Sequence, residues 1–350
     1  MLARGYEFVE IGQAPRPTTR ELSAGHDEAL IQVAGCGVCH TDLGFLYDGV
    51  PTRQPLPLIL GHEISGVVLE GDPAWVGKRV VVPAVIPCGD CSRCRAGRSM
   101  TCKRQVMPGN DRDGGFATHC VVPSRGLCEV AQDLPEGMDL AHLAVIADAV
   151  STPYSALKKS GLQAGQVAVV VGLGGVGGYA AQLAKAAGAF VVGLDVDAGK
   201  LAGNPACDLA LDPRAHPGKV LRKQIQTAAR EAGVDPDAWV IFECSGTAPG
   251  QNTAFGLLVH GATLMVVGFT MGKLELRLSN LMAFDARAIG TWGCPPELYP
   301  EIVRLVLDGR VDLLSHTKLR RLDEIAAIFG EVHGHACSQR QVLVPGGLGC

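Results

Sequence analysis

Cys88, Cys91, Cys94 and Cys102 form a C-x2-C-x2-C-x7-C run in a segment with almost no apolar residues. Four thiolates in so short a loop match the donor set of a closed, tetrahedral structural zinc site, although a [4Fe–4S] cluster also takes four thiolates. Arg93, Arg95, Arg98, Lys103 and Arg104 crowd the same loop and offset the negative charge of such a centre. A second group is ambiguous. Cys36-Gly-Val-Cys39 fits a dithiol redox pair, yet His62 and Glu63 follow a proline-rich loop and offer an imidazole and a carboxylate together. Cys39 and His62 make two good zinc ligands of an open, catalytic site, which needs a third.

Gly172, Gly174 and Gly177 spell G-x-G-x-x-G, a spacing that a chain with 45 glycines also produces by chance. Its context is what carries meaning. The motif follows the apolar run Gln166–Val171 and opens the alanine-rich stretch Val176–Ala187, which Gly188 closes; a second strand-like run, Ala189–Asp195, comes next. Missing side chains let a pyrophosphate approach the backbone, and a helix N-terminus offers it unpaired N–H groups and positive dipole. Asp195, eighteen residues past Gly177, is placed to accept both ribose hydroxyls and to repel a 2′-phosphate. NAD is therefore expected over NADP, Lys200 being the first cation after Asp195.

The elements that must hold these residues differ between the two parts of the chain. Up to about residue 150 there are short β runs, Ala29–Ala34, Ser65–Glu70, Arg79–Ala84 and Ala117–Pro123, broken by glycine and proline, which predicts a β-rich domain with long functional loops. From about Leu162, strand and helix alternate through Trp239–Glu243, Thr263–Gly268 and Arg287–Trp292, the mark of a doubly wound parallel sheet. A tail with helices at Pro296–Leu307 and Leu322–Phe329 is expected to pack back on the first domain. Val167–Ala184 is eighteen residues without a charge, close to membrane-span length, but five glycines split it into strand, turn and helix. With 350 residues, 47% apolar and 19% charged, the chain suits two globular domains. A net charge of −4 gives no reason to expect nucleic acid or an anionic membrane as partner. Met1–Glu10 carries Arg4 and Glu7 and no apolar run, so no secretory signal is expected. Thirteen cysteines then point to a reducing, cytoplasmic setting.

Together, Cys39-x-Thr41-Asp42, Gly61-His62-Glu63, the four-cysteine lobe and the glycine motif with Asp195 resemble the zinc-dependent medium-chain dehydrogenase/reductase family over essentially the whole chain. The resemblance implies an α/β fold, with a GroES-like catalytic domain over residues 1–155, a Rossmann NAD-binding domain over 156–292 and a return segment of the catalytic domain over 293–350. It implies two zinc ions and NAD. Cys39 and His62 would bind the catalytic zinc, Asp42 support His62, Thr41 relay the hydroxyl proton and Glu63 stand behind the metal. His40 is implied near the pyrophosphate, Lys200 near the adenosine ribose, and Gly175, Val176 and Gly268 in the cofactor site. A small-molecule substrate and a homo-oligomer of two or four subunits are implied as well.

Two positions depart from the family pattern. Many relatives have a cysteine as third zinc ligand where this chain has Asp148 among apolar neighbours; a carboxylate is an acceptable, harder ligand, and an unpaired one buried there would be costly. Gly44 replaces a histidine that passes the proton to solvent in several relatives, leaving water to finish that path. Within the family, Ala34–Gly44, Tyr47–Pro51, Gly61–Gly66 and Met107–Asn110 are similar to members acting on 6-hydroxycyclohex-1-ene-1-carbonyl-CoA in anaerobic aromatic degradation. That implies a CoA thioester substrate, with a simple aliphatic or benzyl alcohol as the alternative. The eight other cysteines, Cys350 among them, show no metal spacing and read as small buried side chains.

Overall fold

A computed structural model describes residues 1–130, 133–216 and 218–346; Cys350 lies outside the described residues. The chain divides into two units, one of Met1–Ser151, Gly293–Asp308 and Asp312–Cys350, the other of Thr152–Trp292 and Gly309–Val311.

The first unit begins with the antiparallel hairpin β1 (Leu2–Glu7) and β2 (Arg16–Glu21). Their sequences, LARGYE and RPTTRE, have no clear apolar alternation, so the strands escape a pattern-based reading. Ion pairs from Arg16 at 2.7 Å and Arg20 at 2.5 Å to the buried Glu7 help hold this register. The main sheet contains β3 (Glu28–Gly37), β4 (Glu63–Gly71), β5 (Arg79–Val82), β6 (His119–Pro123) and β7 (Cys128–Glu129). In that sheet β4 pairs antiparallel with both β3 and β5, while β6 pairs with β3. Apolar side chains such as Ile31, Leu58, Ile64, Phe116 and Phe329 fill the core of this unit.

The second unit is a six-stranded parallel sheet in the order β10-β9-β8-β11-β12-β13, where β8 is Val167–Val171, β9 Phe190–Leu194, β10 Leu209–Leu211, β11 Trp239–Glu243, β12 Thr263–Val266 and β13 Arg287–Gly290. This is the doubly wound arrangement expected from the alternation. All five residues of β8, VAVVV, are buried, as befits a central strand covered on both faces. The uncharged stretch resolves into β8, a turn and the helix Gly177–Ala186, and among the described residues no helix is long and apolar enough to cross a membrane. β12 stops two residues short of the expected Gly268 because the Val267 and Gly268 N–H groups turn to the Glu243 carbonyl, at 3.0 and 2.9 Å.

The tail then rejoins the first unit. β15 (Arg340–Val344) pairs antiparallel with β3, Leu343 opposite Cys36, and parallel with β14 (Thr317–Arg321). The expected tail helices start as 3-10 turns, Pro296–Leu298 and Leu322–Glu324, and continue as Tyr299–Leu307 and Ile325–His333.

Candidate active site and metal centres

Gly37 at the end of β3 lies opposite Glu63 at the start of β4. The chain therefore leaves β3 and re-enters at β4 at the same end of two neighbouring strands, with Cys39 two residues past the first and His62 one residue before the second. Asp42 joins these two points. It is wholly buried, its Oδ2 accepts the Cys39 N–H at 2.9 Å, and its Oδ1 accepts the Gly61 N–H at 3.2 Å and lies 3.3 Å from His62 Nδ1. The first of these bonds also caps the helix His40–Leu46. Asp148 arrives at the end of the 3-10 helix Leu140–Ala147. That helix can lie against β3 because Gly35 has no side chain; a Cβ there would sit 2.9 Å from Ala141.

Cys39 Sγ is 3.8 Å and His62 Nε2 is 3.5 Å from Asp148 Oδ2. A tetrahedral zinc with ordinary Zn–S, Zn–N and Zn–O lengths spans S···O and N···O edges of about 3.6 and about 3.4 Å, so these three donors fit one ion. Both His62 ring nitrogens are buried without a well-aligned hydrogen bond, despite the two carboxylates within ion-pair distance. Burial disfavours an imidazolium there, but Asp42 and Asp148 outweigh it and raise the His62 pKa well above the usual histidine value; the same field favours a bound cation. Glu63 belongs to the same donor group, all within 4.8 Å of one another. Its carboxylate lies over Gly37, where a Cβ would come within 2.0 Å of Oε2. Arg340 Nε donates to Oε2 at 3.1 Å and Arg340 Nη2 to Oε1, which also accepts the Ala149 N–H at 3.1 Å. Burial pushes the Glu63 carboxyl up and Arg340 opposes it. Glu63 is thus engaged by Arg340 and the Ala149 N–H, while Cys39, His62 and Asp148 present the donor atoms that could hold an ion. Thr41, half-buried, places Oγ1 3.6 Å from Cys39 Sγ, while the exposed His40 stacks on His335 with ring centroids 6.0 Å apart.

In the lobe, the Sγ atoms of Cys88, Cys91, Cys94 and Cys102 stand 3.4 to 3.9 Å apart along four edges. Four thiolates around one zinc span about 3.8 Å. A [4Fe–4S] cluster puts each thiolate on a different iron and needs a wider cage, so the geometry selects zinc. The Cys91 thiol is pulled down to about 6, chiefly by the Cys94 backbone N–H and side chain. Of the cations expected to offset the thiolates, Arg104 pairs with the Asp90 carboxylate while also feeling the charge of Cys88 and Cys91, its backbone N–H donating to Cys102 Sγ at 3.3 Å, and Arg95 donates to the Asp90 carbonyl.

The three motif glycines of the second unit have three separate roles. Gly172 turns the chain at φ +88° with Ser245 close against it, and a Cβ at Gly177 would sit 1.7 Å from the Gly172 carbonyl oxygen; at Gly174 a Cβ meets nothing within 4 Å. That is the division of labour by which such a turn seats a pyrophosphate. Gly175 and Val176 complete the turn, Val176 standing immediately before the helix Gly177–Ala186 with no side-chain cap. Asp195 Oδ2 accepts the Leu173 N–H at 2.7 Å and Oδ1 the Asp197 N–H at 2.9 Å, which leaves one acceptor position per oxygen for a ribose hydroxyl. Lys200 lies on the short helix Ala198–Leu201, capped by Asp197. Gly268 is held to glycine by packing, a Cβ there lying 2.4 Å from the Gly246 nitrogen.

The alcohol dehydrogenase GroES-like domain family matches residues 25–132, and the zinc-binding dehydrogenase family matches residues 175–308. An alcohol dehydrogenase of Geobacillus stearothermophilus is 30% identical over 345 residues, covering 96% of this chain and 95% of that protein. The chain belongs to the zinc-dependent medium-chain alcohol dehydrogenase family. Among solved structures, the alcohol dehydrogenase from the hyperthermophilic archaeon Aeropyrum pernix has a TM-score of 0.83 at 28% identity, covering 98% of this chain and 100% of that one. A cobalt- and zinc-bound thermostable alcohol dehydrogenase from Pyrobaculum aerophilum reaches 0.81 at 25% identity, covering 99% and 100%.

As a zinc-dependent oxidoreductase of this family, the protein has no need of a Cys36–Cys39 dithiol. Cys36 is fully buried, its thiol pushed well up by burial, and its sulfur fills the space beside Gly61 and Gly115, where a Cβ would come within 2.7 and 2.8 Å. Two site residues escaped the sequence reading. Arg340 lies 277 residues from Glu63, and no local pattern marks it. Arg214 donates to the Val196 carbonyl at 2.7 Å and pairs with Asp212 at 2.7 Å, which brings a cation near Asp195 that the order of residues along the chain does not reveal.

Proposed function

We propose that the protein oxidises 6-hydroxycyclohex-1-ene-1-carbonyl-CoA, the CoA thioester of a cyclic secondary alcohol, to its 6-oxo product with NAD, as a step of anaerobic aromatic degradation. The observation that carries the dehydrogenase reading is the convergence of the Cys39, His62 and Asp148 donors, with Asp148 Oδ2 3.8 Å from the thiol and 3.5 Å from the imidazole. Cys39, His62 and Asp148 would hold a zinc ion, which would supply a Lewis acid for the substrate hydroxyl, and bound NAD would supply the hydride acceptor. Asp42 fixes the imidazole of His62 through its contact with Nδ1 and so aims Nε2 at the metal. Thr41, beside Cys39, accepts the hydroxyl proton as it releases its own. Gly44 provides no base, so water takes that proton onward. The glycine turn would hold the pyrophosphate of NAD, and Asp195 and Lys200 would hold its adenosine ribose; His40 is proposed as a further cofactor residue.

Support for the thioester comes from the similarity of Tyr47–Pro51 and Met107–Asn110 to members acting on that substrate. The loops carrying these segments are tied together: Asn110 accepts the Arg53 N–H through its side chain and the Gln54 N–H through its carbonyl, each at 2.9 Å, and Arg53 pairs with Asp111 at 3.0 Å. None of the twelve described cysteines is in a disulfide, which suits the proposed cytoplasmic setting. NADH absorbance with a panel of alcohols and hydroxyacyl-CoA esters tests the proposal. The thioester is expected to exceed the free hydroxy acid and plain cyclohexenol in kcat/KM by about tenfold or more, since the remote CoA handle contributes binding energy at the transition state. Equal turnover of the free acid, or better turnover of aliphatic or benzyl alcohols, puts a simple alcohol dehydrogenase in its place.

A further inference from the structure

Tyr299 is wholly buried at the start of its helix. Its hydroxyl donates to the Ala147 carbonyl oxygen at 2.6 Å. Ser151 Oγ lies 2.9 Å from the same oxygen and 3.2 Å from the Tyr299 hydroxyl, and the Ala84 N–H approaches that oxygen at 3.3 Å. Ala147 is the last residue of the 3-10 helix, where a carbonyl lacks an intrahelical partner. On the other side of Asp148, the Ala149 N–H is held by Glu63, itself gripped by Arg340. Both peptide groups flanking Asp148 are thus anchored, one through Tyr299 and one through Glu63.

This matters more for a carboxylate than for a thiolate. A thiolate has one donor atom, whereas Asp148 can turn to offer either oxygen or both, so the placement of its backbone decides which oxygen faces Cys39 and His62. Burial also pushes the Tyr299 phenol well above its usual pKa; it remains a donor and takes no part in proton transfer.

We propose that Tyr299 is a positioning residue for the catalytic metal, setting through the Ala147 carbonyl where the Asp148 carboxylate stands. The inference rests on Asp148 being a ligand. Tyr299→Phe keeps the ring and removes only the donor. In the full-length protein it is expected to weaken metal affinity at the catalytic site by about 10- to 100-fold, the usual cost of losing an outer partner of a ligand, with the lobe zinc retained. After Co2+ replaces zinc at the catalytic site, the d–d absorption bands should shift relative to the unaltered protein. A carbonyl cap with a purely structural role would lower the melting temperature and leave the Co2+ bands and metal affinity of the folded protein unchanged, which overturns the proposal. Should Tyr299→Phe fail to fold, Ser151→Ala decides: it removes the second donor to the same carbonyl, and unchanged bands and affinity there also overturn it. Asp148→Asn separates the two layers. If that variant keeps its catalytic metal and Co2+ bands, the ligand assignment fails; if it loses them while Tyr299→Phe and Ser151→Ala do not, only the positioning role fails.

Discussion

Asp195 shows how one side chain can serve the fold and the cofactor together. Its two oxygens already accept the Leu173 and Asp197 N–H groups, tying the end of β9 to the glycine turn, and its charge opposes a 2′-phosphate. Arg214 is close by, but Asp212 faces its guanidinium, so NAD preference is expected to stand. Asp195→Ala removes the like charge and leaves Arg214 at the Val196 carbonyl. The ratio of kcat/KM for NAD to that for NADP should then fall by about tenfold or more, equivalent to roughly 1.4 kcal/mol. NAD itself should bind less well, because two backbone donors lose their acceptor. Steady-state kinetics with both cofactors check this, and an unchanged ratio rules out Asp195 as the selector. The lobe cysteines and Asp195 could be singled out as candidates from residue type and local spacing, whereas Cys39 fitted a dithiol with Cys36 equally well and His62 gained meaning only within the family resemblance. Arg340 and Tyr299 could not be singled out: each acts on a partner well over a hundred residues away, and a lone arginine or tyrosine beside apolar residues gives no signal until the chain has folded.

The turn between β8 and its helix offers a sharper test, since two glycines of one motif should fail in different ways. A methyl group at Gly177 would sit 1.7 Å from the Gly172 carbonyl oxygen, so Gly177→Ala must displace backbone and is expected to destabilise the protein by about 1–3 kcal/mol or more. At Gly174 the same methyl meets no protein atom within 4 Å. Gly174→Ala should therefore keep its melting temperature and raise KM for NAD on the order of tenfold to a hundredfold by standing where the pyrophosphate approaches. Thermal unfolding alongside NAD titration separates these effects; a Gly174→Ala variant with normal KM excludes the turn as the phosphate seat. The glycine turn, β8 and β9 could be read directly because a run of buried valines punctuated by glycine has few other foldings. β1, β2 and β14 could not, being rich in charge and short of alternation. β15 carries an apolar run, Val342-Leu343-Val344, but its neighbour β3 lies some 300 residues earlier, and only the assembled sheet explains that pairing.

Across the whole molecule, the doubly wound sheet leaves β13 as an outer strand. Natural sheets blunt such edges with lysine, proline or other charge, yet after Arg287 this strand continues only as Ala-Ile-Gly, with Thr291 and Trp292 just beyond its end. The same stretch of chain exposes Phe269, Met271, Leu278, Met282 and Trp292, each more than half accessible, Met282 by 77%. Single exposed apolar side chains need no explanation; five in one segment beside an unblunted edge are what an expected contact surface would present. A second copy is the simplest occupant, because a two-fold axis brings a patch against itself and allows an antiparallel edge to pair with its own copy. A homodimer or a tetramer built from it is accordingly expected, with a mass by light scattering at least twice that of the chain. Met282→Glu with Trp292→Glu should halve that mass or more while leaving the melting temperature of the separated chain close to its starting value, since substitutions at exposed positions usually cost within about 0.5 kcal/mol. A monomeric starting protein, or a double variant that keeps the larger mass, shows that subunits do not meet along β13.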